Sequence, residues 1–216
     1  MKKGAIFDMD GLLLDTERLY RESWIKMAEA FGQVPDPAFP KAISGTSGAF
    51  ALELIRRHYP AVDPKAFWDS GVARVASLTE KEIPLKPGAR ELLSFFRSNG
   101  VKTAVASSSP IKMITHNLTT SGLLPYFDAI VSAQQVEHVK PAPDIFQEAA
   151  RQLGLAASDC YVFEDSINGC HAGFAAGCTT VMVPDLTPPT PETDQLCDAI
   201  CPSLLDVRTR IAAGTL

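Results

Sequence analysis

Hydrophobic and polar positions change their spacing along this chain. A short apolar strand is predicted at Gly4 to Phe7, and no second strand pattern appears before residue 101. The intervening residues favour helices at Glu17 to Phe31, Ala49 to His58 and Lys65 to Glu82, because apolar side chains recur near helical spacing. Residues Val34 to Pro40 between the first two helices are predicted to form a turn-rich connection.

From residue 90 onward, helix and strand patterns alternate. Helices are predicted at Arg90 to Asn99, Pro110 to Ser121, Pro143 to Leu153 and Ile167 to Ala176, and strands at Val101 to Ala106, Ala129 to Ser132, Cys160 to Phe163 and Thr179 to Val183. This alternation predicts a parallel sheet with helices on both faces. We therefore expect an α/β fold: a Rossmann-like, doubly wound core of residues 1–15 and 84–216 with an inserted helical cap domain of residues 16–83. The Pro- and Thr-rich stretch 184–193 is predicted to be a surface loop without a functional role.

Two carboxylates, Asp8 and Asp10, follow the first strand. Open α/β sheets bind their ligands at the carboxyl ends of the strands, and side chains two residues apart in extended backbone point the same way. Gly11 then permits a sharp turn. Because two close carboxylates repel each other unless a cation or a shared proton relieves them, the pair is a candidate divalent-metal site and nucleophile with an acid/base partner. The alternative is a polar strand end with a surface turn.

A serine run and a lysine add candidate phosphate-binding groups. Ser107 and Ser108 end a predicted strand, and Ser109 is the predicted N-cap of a helix that begins at Pro110, an arrangement suited to an anion. Lys140 lies just before a proline, so its backbone is expected to be extended, and it can pair with a phosphate or with carboxylates. Ordinary helix capping and a solvated surface lysine are the alternatives.

Two adjacent acids, Glu164 and Asp165, end another predicted strand ahead of a helix rich in small residues. Magnesium prefers hard oxygen ligands and binds through few carboxylates plus water, so these acids are metal-ligand candidates. The alternative is that they only complement the dipole of the following helix.

Taken together and in this order, FDMDGLLLDTE, ASSSP, KPAPDIF and FEDSING resemble the four motifs of the haloacid dehalogenase-like hydrolase superfamily. The resemblance covers nearly the whole chain. It is strongest to the branch that holds β-phosphoglucomutase, sugar-phosphate phosphatases, phosphoglycolate phosphatase and pseudouridine-5'-phosphatase. Members of this branch carry a helical cap at the point where residues 16–83 are inserted here.

The resemblance implies catalytic and metal-binding roles for four acids. Asp8 would attack phosphorus and form an aspartyl-phosphate, and Asp10 would protonate the leaving alcohol and then take a proton from water. The implied cofactor is Mg²⁺, held by Asp8, the backbone carbonyl of Asp10, and Asp165. Glu164 would hold a metal-bound water or orient Asp165.

The same resemblance implies that three groups bind the phosphate. The Ser107 hydroxyl and the N–H of Ser108 would contact phosphate oxygens, and Lys140 would offset the negative charge and orient Asp8.

Cap residues decide between phosphatase and mutase. Mutases of this branch have a histidine where this chain has Tyr20, and an arginine after a turn that corresponds to residues 45–48. Their absence favours hydrolysis of a small phosphorylated metabolite, either a sugar phosphate or a nucleotide-like monophosphate. A β-phosphoglucomutase-like isomerase and a non-enzymatic phosphate-binding protein are the alternatives. Cap residues that could face the leaving group are Glu17, Tyr20, Ser44, Thr46, Ser47 and Arg74, although a packing or surface role is favoured for Tyr20 and Arg74.

Composition sets limits on partners. The 216 residues are 46% hydrophobic and 21% charged, as in globular enzymes, and the net charge of −5 argues against nucleic acid or an anionic membrane. We find no signal-peptide pattern and no transmembrane stretch. The five cysteines are odd in number and lack a C-x-x-C pair, so we expect reduced thiols in a cytoplasmic monomer.

Overall fold

The computed structural model describes residues 1–43, 46, 48–186 and 188–216. The chain divides into two compact units. An α/β unit comprises Met1–Asp15 and Pro84–Leu216, and a helical unit comprises Thr16–Ile83.

A six-stranded parallel sheet forms the centre of the α/β unit. The strands are β1 (Gly4–Phe7), β2 (Lys102–Ser107), β3 (Ala129–Ser132), β4 (Cys160–Glu164), β5 (Thr179–Met182) and β6 (Ala199–Ile200). Their order is β3-β2-β1-β4-β5-β6, so the direction of winding reverses between β1 and β4. Sheets of this kind bind ligands beside the carboxyl ends of the strands at such a reversal. The predicted α/β, Rossmann-like fold is confirmed.

The helical unit has a core of its own. Its helices are α1 (Thr16–Ala30), α2 (Phe39–Ile43), α3 (Gly48–His58) and α4 (Pro64–Thr79). Trp24 of α1 stacks on Phe67 and Trp68 of α4, with ring centroids 6.1 and 5.4 Å apart. Gly71 permits this approach, because a Cβ at that position would lie only 2.0 Å from the Trp24 ring.

Helices cover both faces of the sheet. They are α5 (Ala89–Ser98), α6 (Ile111–Thr120), α7 (Asp144–Leu153), α8 (Ile167–Ala176), α9 (Thr193–Leu196) and α10 (Leu204–Ala212). On one face, α7 and α8 bury Phe146 and Ala172 against Ile6 and Val162. On the other, Phe96 of α5 joins an aromatic cluster with Phe7, Tyr161 and Phe163. No helix among the described residues combines the length and the apolar character that crossing a membrane requires.

The structure differs from the sequence predictions in one boundary, in the elements that were missed and in one loop assignment. The connection at Val34 to Pro40 ends inside α2, which begins at Phe39 and accepts Pro40 because the first turn of a helix needs no N–H from proline. The short strand β6 and the helix α10 were not predicted. The stretch 184–193 is not a surface loop throughout, because Thr193 is fully buried and begins α9.

Candidate active site

Lys140 joins two buried carboxylates at the carboxyl ends of β1 and β4. Asp8 directly follows β1, and its N–H donates to the carbonyl of Phe163 in β4. The Lys140 Nζ donates to Oδ1 of Asp8 at 2.5 Å, to Oε1 of Glu164 at 2.6 Å and to the Ala106 carbonyl at 3.1 Å. Only 7% of the Lys140 side chain is exposed, so it is not a solvated surface lysine.

Burial and charge act in opposite directions on this triad. Burial raises the pKa of Asp8 to about 7, against the lowering effect of the Lys140 charge and with a further raising effect from Glu164. Burial disfavours the charge on Lys140, but the Asp8 and Glu164 carboxylates outweigh this and raise its pKa. Lys140 is therefore a permanent cation at the bottom of the site.

Glu164 is fixed by protein groups on both oxygens. Its Oε1 accepts from Lys140, and its Oε2 accepts from the N–H of Asp165, the N–H of Ser166 and the Ser166 hydroxyl, at 2.9–3.0 Å. The carboxyl group packs on Gly169 of α8, where a Cβ would lie 1.8 Å from Cδ of Glu164. These contacts hold the backbone that presents Asp165.

Asp10 belongs to a serine network that was not predicted. The Ser109 hydroxyl donates to Oδ2 of Asp10 at 3.0 Å, and the Ser109 carbonyl accepts from the Ser132 hydroxyl at 2.7 Å. The predicted N-cap was wrong, because Pro110 is the N-cap residue of α6 and has no side-chain donor or acceptor to offer. The Ser109 hydroxyl is instead directed to Asp10. The sequence signal that could have indicated this contact is that Ser109 directly follows the two predicted phosphate-binding serines.

The predicted phosphate-binding serines lie at the end of β2. Ser107 is buried and its hydroxyl accepts from the Ser109 N–H at 3.1 Å, whereas Ser108 is exposed. The structure thus gathers Asp8, Asp10, Ser107, Lys140, Glu164 and Asp165 at one edge of the sheet.

Asp185 is a further charged residue near Asp165, and it is paired with Lys86. Gly11 has a φ of 85°, and a Cβ there would lie 2.5 Å from Oδ2 of Asp165 and 3.4 Å from Oδ2 of Asp185. Oδ1 of Asp185 accepts from the Lys86 Nζ at 2.7 Å. Asp185 lies in the stretch that the sequence analysis interpreted as a surface loop, yet only 14% of its side chain is exposed.

The carboxylates beside Gly11 are hard oxygen donors of the kind that magnesium prefers. No group of three or more His, Cys, Asp or Glu side chains is arranged as a metal cage among residues 1–43, 46, 48–186 and 188–216. Magnesium needs no such cage, since it typically binds one or two carboxylates and keeps several waters. The carboxylates of Asp8 and Asp165 with the carbonyl of Asp10 fit this requirement.

The described candidate residues of the helical unit lie on α1, on α4 and at Thr46 between α2 and α3. Tyr20 stacks on Trp24, and the Thr46 hydroxyl donates to the Ile43 carbonyl at 2.7 Å. Arg74 lines an open groove between α1 and α4, and Glu17 lies in the first turn of α1. Ser44 and Ser47 lie outside the described residues.

Comparison with known proteins agrees with the motifs and the fold. The family model for haloacid dehalogenase-like hydrolases matches residues 2–177. The chain is 32% identical to hexitol phosphatase B of Escherichia coli over 185 residues, which cover 83% of this chain and 82% of that protein. It is 34% identical to the phosphorylated carbohydrates phosphatase of Thermotoga maritima over 179 residues, which cover 81% and 82%.

A solved structure of a haloacid dehalogenase family hydrolase from Deinococcus radiodurans, with bound phosphate and sodium, has a TM-score of 0.84 at 28% identity. The match covers 100% of this chain and 97% of that one. This chain belongs to the haloacid dehalogenase-like hydrolase family, as its four motifs predicted.

Proposed function

We propose that this chain is a magnesium-dependent phosphatase that hydrolyses a small phosphorylated metabolite through an aspartyl-phosphate. It is a phosphoric monoester hydrolase by its family and by the phosphatases among its relatives. The observation that carries the finer proposal is the contact of Lys140 with both Asp8 and Glu164 at the reversal point of the sheet. A carboxylate that is held by a buried cation is oriented for attack on a phosphoryl group, which itself carries negative charge.

The proposed reaction uses Asp8 and Asp10 in two displacements. Because Lys140 occupies Oδ1 of Asp8, Oδ2 attacks phosphorus while the bond from phosphorus to the ester oxygen breaks, and Asp10 protonates the departing oxygen. Asp10 then takes a proton from a water molecule that attacks the same phosphorus. This step releases inorganic phosphate and the free Asp8 carboxylate. The Ser109 hydroxyl keeps Asp10 oriented during both proton transfers.

Phosphate binding is assigned to the Ser107 hydroxyl and the N–H of Ser108. The three Lys140 donors are taken by Asp8, Glu164 and the Ala106 carbonyl, so Lys140 acts on the phosphate through its charge. Magnesium, when bound by Asp8, Asp165 and the Asp10 carbonyl, would neutralise charge on the phosphoryl oxygens. Glu164 contributes by holding the backbone of Asp165 and by sharing Lys140 with Asp8.

The helical unit is proposed to act as the cap that selects the leaving group. The α/β unit supplies groups for phosphate and metal, so recognition of the rest of the substrate is assigned to the helical unit, with Glu17, Tyr20, Thr46, Ser47 and Arg74 as candidates. Relatives that are named for hexitol and carbohydrate phosphates favour a sugar or sugar-alcohol phosphate as substrate.

The test is a panel of phosphorylated metabolites assayed for inorganic phosphate with and without Mg²⁺. Hexitol phosphates, hexose phosphates and nucleoside monophosphates are compared, with Asp8→Asn as the inactive control. We expect release from at least one sugar or sugar-alcohol phosphate, dependent on Mg²⁺ and absent in the variant. Glucose 6-phosphate formed from β-glucose 1-phosphate without phosphate release would identify a mutase. Phosphate binding without turnover of any ester would identify a binding protein.

A further inference from the structure

Asp185 has a buried oxygen that no protein group satisfies. Its Oδ2 is the one buried side-chain nitrogen or oxygen that lacks a hydrogen-bond partner in the part of the chain that the structure describes. Its Oδ1, in contrast, is paired with Lys86 at 2.7 Å. A buried carboxylate oxygen without a donor costs free energy, so a donor supplied by a bound ion or its water would stabilise this oxygen.

The position of this oxygen identifies the kind of partner. The N–H of Val183 donates to the Glu164 carbonyl at 2.7 Å, which brings the segment after β5 alongside Glu164 and Asp165. Oδ2 of Asp165 and Oδ2 of Asp185 both lie within 3.4 Å of one point beside Gly11. Gly11 leaves this point free of a side chain, and Lys86 contacts the opposite oxygen of Asp185.

A cation or its waters beside Gly11 would reduce the repulsion between these two carboxylate oxygens. The Lys86 ammonium contacts Oδ1 of Asp185, and Oδ2 has no donor among the described residues. Magnesium keeps several of its waters in protein sites, and those waters are strong hydrogen-bond donors to carboxylates beyond the direct ligands.

We propose that Oδ2 of Asp185 accepts a hydrogen bond from water carried by the divalent cation at Asp165 and that Asp185 thereby sets the affinity of the cation site. Asp185 is a positioning residue in this role and does not contact the phosphoryl group. The inference rests on the cation site of the proposed function, and it adds to that site a residue outside the four family motifs.

The role of Asp185 is tested without turnover by measuring the binding of Mn²⁺ alone, with the free ion detected by electron paramagnetic resonance. We expect Asp185→Asn to weaken Mn²⁺ binding about 10- to 100-fold, the usual effect of losing such an outer partner. The matched control is Asp159→Asn, which alters an exposed carboxylate paired with Lys3 in the same unit and should leave the affinity unchanged. Melting temperatures measured in chelator establish that the variants are folded.

Lys86→Met separates a role toward the cation from a role in holding the fold. This variant breaks the same ion pair but leaves the Asp185 carboxylate, with its charge no longer compensated. We expect Mn²⁺ to bind at least as tightly as to the unaltered protein. Equal weakening in Lys86→Met and Asp185→Asn, or no weakening in Asp185→Asn, would overturn the inference.

A double variant protects the test against a folding failure. Replacing a buried ion pair by apolar residues is often neutral for stability, so Lys86→Met with Asp185→Leu is expected to fold. It should still bind Mn²⁺ at least 10-fold more weakly, and unaltered affinity would refute the role of Asp185. Failure of the unaltered protein to bind Mn²⁺ would instead overturn the cation site itself, which distinguishes the two levels of the proposal.

Discussion

At the scale of single residues, Lys140 explains most of the electrostatics of the site. It is separated by 132 residues from Asp8 and by 24 from Glu164, yet its ammonium contacts both. The sequence indicated Lys140 as a partner for a phosphate or for carboxylates, and the structure supplies the carboxylates. The sequence could not indicate that protein groups would bind both oxygens of Glu164, because those contacts depend on the fold of the Asp165–Ser166 turn.

Asp8→Asn should abolish turnover without loss of the fold. The carboxamide nearly preserves the shape of the side chain but is a far weaker nucleophile, and losing a covalent nucleophile can lower turnover on the order of a millionfold. Phosphate release is measured together with the circular dichroism spectrum, and Asp159→Asn serves as the control. Activity of the Asp8 variant within tenfold of the unaltered enzyme would exclude Asp8 as the nucleophile.

Lys140→Met should destabilise the metal-free protein, and more strongly as the pH rises. Removing one partner of a buried ion pair costs about 3–5 kcal/mol, since the remaining charge is uncompensated. Burial already raises the pKa of Asp8 to about 7. Because the pKa of Asp8 is raised on folding, its contribution to stability is full below the unfolded-state pKa and is lost as the pH rises through the folded-state pKa. Without Lys140 the charged form of Asp8 is opposed even more strongly, so the variant loses more stability than the unaltered protein over this range. The raised pKa of Lys140 acts far above this window.

Urea unfolding in chelator at pH 5 and pH 8 measures this effect. The difference in the free energy of unfolding between Lys140→Met and the unaltered protein should be larger at pH 8. The exposed Lys3→Met variant should show no such dependence, because its partner Asp159 lies at the surface. A Lys140 variant that gains stability relative to the unaltered protein between pH 5 and pH 8 would contradict the role of Lys140 in offsetting the charge of Asp8.

At the scale of elements, the spacing of hydrophobic and polar residues predicted most strands and helices to within a few residues. The elements it missed depend on distant partners. Strand β6 has two residues and exists only by pairing with β5, and α2 is a five-residue helix packed into an aromatic core. The position of Asp185 was missed for the same reason, since the backbone contact of Val183 with Glu164 brings it to the site.

Gly169→Ala in α8 should be destabilising, against the usual trend. Alanine in a helix is ordinarily about 1 kcal/mol more favourable than glycine. Here the added Cβ would lie 1.8 Å from Cδ of Glu164, so the carboxylate or the helix must shift. We expect a lower melting temperature and reduced phosphatase turnover. Asn168→Ala, at an exposed position of the same helix, should change neither. A stabilised and fully active Gly169 variant would show that α8 does not pack on Glu164 as described.

At the scale of the whole molecule, the chain leaves the α/β unit after Asp15 and returns to it at Pro84. The N–H of Asp15 donates to the Pro84 carbonyl at 2.8 Å, and Leu14 pairs with Leu85. The two chain segments that flank residues 16–83 are therefore adjacent. Each unit also has a separate hydrophobic core. The sequence indicated the insertion through the long gap between its first two strand patterns, but it did not reveal the substrate.

Replacing residues 16–83 by a short glycine-rich turn should leave a folded α/β unit. We expect it to retain turnover of acetyl phosphate, which has little beyond its phosphoryl group to be recognised, and to lose discrimination among sugar phosphates. The kcat/KM values for acetyl phosphate and for the preferred sugar phosphate are compared before and after the replacement. Equal loss on both substrates would mean that the helical unit supports catalysis itself and does not select the leaving group.

The covalent intermediate is tested most directly by trapping it in Asp10→Asn. p-Nitrophenyl phosphate has a leaving group that needs no protonation, so Asp8 should still be phosphorylated, whereas the variant lacks the base that activates water. With Mg²⁺ present, rapid mixing should give a burst of one nitrophenolate per enzyme molecule. Mass spectrometry after acid quench should place one phosphoryl group on the peptide that carries Asp8. Nitrophenolate release without a burst and without phosphorylated Asp8 would contradict nucleophilic catalysis by this residue.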